Sequence, residues 1–241
     1  MSSLNKIPLE GGIDLRDWVA DMKRHVTAVC ISRQMENLDI PEIPFVCFNE
    51  GWKPFGHEKS KDRIAYLAER RNRAVAQALS LFPSTQYILM IDSYYVHQIE
   101  CVRKLVNEYF EIASRAEFRN CILGASTWIL DKTKLIPSER FYDYWTTPEG
   151  LALKWQTTKK QGGVIKVSAV GGCYVYPRFL WERVRYGVPD DLHGCEHNWL
   201  CEKSSVPVLL SLNVTLWREP VVYPWLKRLR TSVHFGRFVG V

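Results

Sequence analysis

Residues 65–96, AYLAERRNRAVAQALSLFPSTQYILMIDSYYV, constrain the fold of this chain more than any other stretch. At about 100° per residue, Ile64, Leu67, Ala68, Val75, Ala78, Leu79 and Phe82 share one helical stripe, and Arg71 falls near its middle. A guanidinium keeps its charge, so it must either snorkel out along its stem or meet an anion or carboxylate partner. A ligand is one such partner; Glu69, Asp62 or a carboxylate on a neighbouring strand is another. Pro83-Ser84 breaks the helix, and Tyr87-Ile88-Leu89-Met90-Ile91 follows, apolar on both faces and closed at once by Asp92. Such a run predicts a central parallel strand, and ligands of open α/β sheets sit beyond the carboxyl ends of their strands. One stretch therefore delivers a cation on a helix face and a carboxylate at a strand end, unless Asp92 merely caps the next helix.

The flanking patterns extend this unit. Residues 25–32, HVTAVCIS, and 43–48 read as strands, with the loop Asn49-Glu50-Gly51-Trp52 at a strand end. Residues 97–113 read as an amphipathic helix with Val102, Leu105, Val106, Tyr109 and Ile112 on its stripe, and 120–130 as another strand. This βαβαβ alternation predicts an α/β fold with a mostly parallel central sheet and helices on both faces. Past Asp131 the rhythm breaks into aromatic loops (Phe141, Tyr142, Tyr144, Trp145), a polar turn at 157–163 and a strand at 165–170, which read as insertions shaping a pocket. No repeat or low-complexity linker divides the chain, so the expectation is an arm over 1–24 and one domain over 25–241.

Composition narrows the setting rather than the chemistry. A length of 241 residues allows a sizeable core, and a net charge of +6 suits a nucleotide, a nucleic acid or an acidic membrane without choosing among them. Seven cysteines, an odd number with no Cys-x-x-Cys, argue against a disulfide framework and for a reducing compartment. The opening MSSLNKIPLEGG lacks a signal peptide's apolar core, and no run approaches the roughly 20 apolar residues of a membrane span, so a cytoplasmic location is expected. Nine tryptophans and eleven tyrosines would line a sugar- or base-binding cleft, or fill a core.

Taken together in order, several pieces between about Val26 and His234 resemble nucleotide-sugar glycosyltransferases of the A-type fold, most like the large family-2 group and its archaeal and viral relatives. Arg71-Asn72, a helix, a strand and then Asp92-Ser93 are similar to that family's Arg-Asn and Asp-x-Asp run. Strand residues Val167-Ser168-Ala169-Val170 leading to Gly171-Gly172 look like its acceptor loop. Gly194-Cys195-Glu196, opening a helix, resembles its x-Glu-Asp motif with Glu196 in the place of the Asp, and Val233-His234 looks like its C-terminal metal histidine. The resemblance implies a nucleotide-sugar donor held by residues 25–130 and a hydroxyl acceptor (lipid, glycan or small molecule) held by 131–241. It also implies Mn²⁺ or Mg²⁺ on Asp92 and His234, and Glu196 as the catalytic base. By fold analogy, Ser32, Arg33 and Glu50 at the ends of the first two strands would lie near the nucleoside.

The chemistry of such a transfer gives each residue type a reason. A leaving diphosphate needs its growing charge neutralised by a divalent cation, which Asp92 and His234 would hold, and by a basic side chain such as Arg71. An attacking hydroxyl needs a base in hydrogen-bond reach, and adjacent glycines let backbone N–H groups approach a sugar. The blander readings are macrodipole stabilisation for Glu196 and a turn for Gly171-Gly172. One departure bears on the metal: Tyr94 stands where the family has a second Asp. His193, Cys195, His197 and Cys201 match no common zinc spacing, and only His197 and Cys201 would share a helix face. Lys227-Arg228-Leu229-Arg230 with Trp217, Trp225 and Leu226 could press on an anionic membrane, though such a run is more often a solvated helix face or a lid over phosphates, and no nucleic acid polymer is expected as a partner. A non-catalytic nucleotide- or glycan-binding relative is the alternative. A sugar nucleotidyltransferase is disfavoured because Cys30-Ile31-Ser32-Arg33-Gln34-Met35 has no glycine for a phosphate loop.

Overall fold

Residues 20–32, 36, 38–49, 60–131, 138–141, 162–190 and 194–218 are described by the computed structural model of this protein, backbone alone at 129–131, 138–141 and 218. The strands are β1 (Val26–Ile31), β2 (Phe45–Phe48), β3 (Tyr87–Asp92), β4 (Ile122–Asp131), β5 (Ser138–Phe141), β6 (Val164–Lys166), β7 (Cys173–Pro177) and β8 (Val208–Arg218). The helices are α1 (Lys61–Leu81), α2 (Ile99–Ala113), α3 (Arg178–Val184) and α4 (Glu196–Lys203). All eight strands join one sheet in the order β2-β1-β3-β7-β4-β8-β6, with β5 on β4.

The sheet is mixed, which corrects the expectation of a mostly parallel one. β1 runs parallel to β2 and β3, and β4 parallel to β8, but β3–β7, β4–β7, β4–β5 and β6–β8 are antiparallel. β4 does run in the direction of β3, as a crossover through α2 requires. The slot between them is filled by β7, a strand from the half that read as irregular, so both halves of the chain build one sheet.

Period-two alternation assigns the faces. Val29, Ile31, Ile88, Met90, Tyr174 and Tyr176 pack on one side against α1, α3 and α4. Ala28, Cys30, Leu89, Ile91, Cys173 and Val175 pack on the other against α2. Ile88 through Ile91 are wholly buried because β3 has a strand on each edge and helices on both faces.

Local signals explain the helix bounds that matter for the site. Ser60 caps α1 by accepting the Arg63 N–H at 3.2 Å, and Pro83 prevents the helix from continuing past Phe82. Ile64, Ala68, Arg71, Val75 and Ala78 are buried along the resulting stripe, so the arginine goes inward with its apolar neighbours. Gly124 in β4 permits the close approach of Val170, whose Cβ would lie 2.6 Å from a Cβ at that position. In β8 the register on β4 shifts between Ala125 and Ser126, and Ser211 secures the bulge by donating to Glu108 of α2 while accepting the Asn213 and Val214 N–H groups.

Candidate functional site

Three elements converge at the carboxyl end of β3. The middle of α1 brings Arg71, the last residue of β3 is Asp92, and the first turn of α4 supplies Glu196 and His197. Arg71 Nε–H donates to Glu196 Oε1 at 3.0 Å. Its Nη2 donates to Asp92 Oδ1 at 2.7 Å and faces His197 Nε2 at 3.0 Å. Nη1 is buried and has no hydrogen-bond partner among the described residues. Of the partner choices open to Arg71, the carboxylate on the neighbouring strand is therefore realised, with a second one from α4. Asp92 makes no side-chain capping bond to the short helix Ser93–Tyr95 that follows it.

The carboxylates differ in access. The Glu196 side chain is 3 % exposed and that of Asp92 is 28 % exposed, so Asp92 is the one that meets solvent. Gly172 lies beside it: the Gly172 carbonyl accepts the Asp92 N–H at 2.7 Å, and the glycine adopts φ +70°, a backbone region costly for other residues. The Gly171 carbonyl accepts the Cys173 N–H at 2.7 Å, starting β7. The glycine pair thus flanks the strand end that carries the acid.

Burial and charge set the protonation states. Burial opposes the Arg71 charge, but Asp92 and Glu196 outweigh it and raise the guanidinium well above its ordinary value. Burial also raises the Glu196 carboxyl, yet the positive groups against it, His197 when protonated and Arg71, leave it below its ordinary value. For His197, burial and the Arg71 charge push the imidazole down to about 4, so it is neutral at pH 7. Burial keeps the Tyr174, Tyr176 and Tyr186 phenols protonated. By formal charge, the described side chains of the cluster carry one positive charge on Arg71 and two negative charges on Asp92 and Glu196.

Asn72, expected at a ligand beside Arg71, is turned the other way. Its Oδ1 accepts from Trp181 Nε1 and the Tyr186 N–H, each at 2.9 Å, and its Nδ2 donates to the Tyr186 carbonyl at 2.9 Å. It fastens α1 to the segment after α3, because consecutive helix residues point about 100° apart. An open depression of about 430 Å³ lies outside this fastening, lined by Ala65, Ala68, Asn72, Arg73, Tyr186 and Gly187. Arg71, Asp92 and Glu196 do not line it.

Ser32 lies one residue past β1, whose Ile31 pairs with Asp92, and it is buried with Oγ donating to Glu36 at 3.1 Å. Ser93 opens the short helix beyond Asp92. Arg33, Glu50 and His234 fall outside the described residues, as does His193 of the zinc reading. Tyr94, in place of a second acid, is 52 % exposed. Among the described residues no three His, Cys, Asp or Glu side chains are grouped to hold a metal ion. No described helix is long and apolar enough to cross a membrane.

The sequence reading missed His197, Tyr174 and Tyr186 as members of the cluster. His197 Nδ1 lies 2.8 Å from Tyr174 Oη, which lies 2.7 Å from Tyr186 Oη, itself 3.1 Å from Tyr176 Oη. The available signal was the pair of tyrosines two apart in Cys173–Pro177, which puts both rings on one face of a strand. No family model matches this chain, and no curated protein is significantly similar to it.

Proposed function

We propose that this protein transfers a sugar from a nucleotide-diphosphate donor to a hydroxyl acceptor, on an A-type, Rossmann-like glycosyltransferase fold. The observation that carries the reading is the meeting of Arg71, Asp92, Glu196 and Gly172, from three separate pieces of that resemblance, at the carboxyl end of a central strand. Strand ends of this kind are where α/β sheets bind ligands.

The geometry reassigns parts within that reading. Arg71 orients the two carboxylates rather than reaching a diphosphate with all of its donors, since three of its N–H groups already point at Asp92, Glu196 and His197. Asp92 is the carboxylate placed to meet sugar hydroxyls. Glu196 is the proposed base; in the closed ion pair its carboxylate is a weak one, so deprotonating an acceptor requires the Arg71 contact to loosen. Mn²⁺ or Mg²⁺ would rest on Asp92 and His234 and would offset the charge of the leaving diphosphate; among the described residues no three His, Cys, Asp or Glu side chains are grouped to hold it. The acceptor would be a lipid, a glycan or a small molecule. A cytoplasmic location, with peripheral contact to the inner membrane face, goes with this reading.

A second reading, a binding relative without turnover, is favoured by the same burial of Glu196 against Arg71. The test is incubation with a panel of nucleotide sugars plus Mn²⁺ or Mg²⁺, followed by assay for free nucleoside diphosphate. Release from at least one donor supports transfer. Thermal shifts on binding without release from any donor favour the binding relative.

A further inference from the structure

We propose that His197 is the positioning residue of the cluster, held in its Nδ1–H tautomer by a chain of three buried tyrosines so that its Nε2 accepts a third N–H from Arg71. The argument is an inventory of protons. Arginine has five N–H donors and no acceptor, so the nitrogen 3.0 Å from Nη2 must present its lone pair. The imidazole proton is then on Nδ1, and it is donated to Tyr174 Oη at 2.8 Å. Tyr174 keeps its own proton for Tyr186 at 2.7 Å, and Tyr186 keeps its proton for Tyr176 at 3.1 Å. The opposite tautomer would set a donor against a donor at Nη2, and the Nε2 proton would have only Glu196 Oε1, at 3.5 Å, to turn to.

The chain links four elements. Tyr174 and Tyr176 stand on β7, Tyr186 follows α3, His197 opens α4, and Arg71 lies on α1. Tyr186 is itself held to α1 by its backbone bonds to Asn72, so the chain closes back on the helix that carries Arg71. Each hydroxyl is buried, which makes a broken link costly and the direction of donation hard to reverse. His197 thereby completes a three-acceptor cradle that sets the guanidinium plane, and through it the angle at which Asp92 reaches solvent. The tautomer and the cradle stand whatever the cluster acts on; their consequence for sugar transfer rests on the function proposed above.

The experiment is nitrogen-15 NMR of histidine- and arginine-labelled protein at pH 7, with the His197 signals assigned by their loss in His197→Gln. The wild type should show at least roughly nine-tenths Nδ1–H tautomer. In Tyr174→Phe, which keeps the ring and removes the hydroxyl, the Nε2–H population should rise to about half, and Arg71 Nε–H exchange with water should speed up about tenfold. A wild type dominated by Nε2–H overturns the proposal, and so does a Tyr174→Phe variant in which both readouts are unchanged. Should that variant not fold, Tyr186→Phe removes the next link and is read the same way. An Nδ1–H wild type with no turnover of any donor leaves this inference standing and removes the functional one.

Discussion

Acidification from pH 7 to pH 5 should destabilise this protein through His197, and the size of the effect follows from its surroundings. The imidazole faces Arg71 of α1 at Nε2 and the Tyr174 hydroxyl at Nδ1, lies edge-on to the Tyr186 ring, and feels the carboxylate charges of Glu196 of α4 and Asp92 of β3. Protonation would turn Nε2 into a donor facing the Arg71 donor and put two cations side by side. The folded value of about 4 lies below the ordinary 6.5, so the unfolded chain takes up the proton first as pH falls. Stability from this group is therefore nearly complete at pH 7 and is lost progressively between 6.5 and 4. Over the span from pH 7 to pH 5 the loss is about 2 kcal/mol, or about 4–8 °C in Tm for a domain of this size.

Glu196 adds a loss of the same sign, but only below its ordinary 4.5, outside that span. His197→Gln separates the two. The glutamine carbonyl can accept from Arg71 in place of Nε2 and does not titrate. Urea unfolding of both proteins at pH 7 and pH 5 should show the variant's pH-dependent loss smaller by about 2 kcal/mol, with the other histidines cancelling in the comparison. Equal losses in the two proteins would refute the claim that His197 is buried neutral against a cation.

Arg71→Met should cost about 3–5 kcal/mol in urea unfolding, because it strands Glu196 and Asp92 without their cation. Adding Glu196→Gln should recover at least about 1 kcal/mol; strict additivity would mean the pair is not coupled. Gly124→Ala should cost about 1–3 kcal/mol, since its Cβ would press on Val170 at 2.6 Å, and an unchanged Tm would show that Val170 moves freely. If the donor panel yields turnover, Glu196→Gln should abolish transfer with nucleoside diphosphate affinity nearly intact, and full activity in that variant would remove the base assignment.

The parts of the fold that were legible in the sequence are those whose pattern is local. A short run apolar on both faces and closed by Asp92 located β3, and the stripe through Arg71 located α1, because burial on one face imposes the helical period. Placing β7 was a different problem. Its five residues Cys173–Pro177 are buried on both faces, so neither alternation nor length distinguished the strand from a loop after two glycines, and its slot between β3 and β4 depends on pairing across more than eighty residues. β8 was passed over for a related reason: the bulge at Ser211 interrupts its alternation, and its partner Glu108 lies on another element. At the site, sequence order brought out Arg71, Asp92, Gly172 and Glu196. It could not say that Asn72 turns away to Tyr186, which depends on where the chain lies after α3. Nor could it say that Arg71 is consumed by its own carboxylates.

That last point bears on what part of a donor the cluster can meet. A lone guanidinium would attract a diphosphate, but the described cluster holds two carboxylates against one guanidinium and a neutral imidazole. One net negative charge among these described groups, about 4 Å from a phosphate oxygen, costs roughly 4 kcal/mol at an effective dielectric of about 20 and roughly 1 kcal/mol in water, and the 28 % exposure of Asp92 sets its effect toward the lower figure. The diphosphate must therefore find its positive charge elsewhere, and sugar hydroxyls, which donate to a carboxylate, are the better match for Asp92. Asp92→Asn removes one negative charge from the cluster while keeping an acceptor for Arg71. In EDTA it should tighten binding of uridine or guanosine diphosphate by about tenfold, measured by calorimetry. With Mn²⁺ present the same variant should bind more weakly than wild type, because Asp92 would then be a lost ligand. Unchanged or weaker binding in EDTA would mean that the negative balance of the cluster is not felt by the phosphates, and Arg71 would return to the role of a direct phosphate contact.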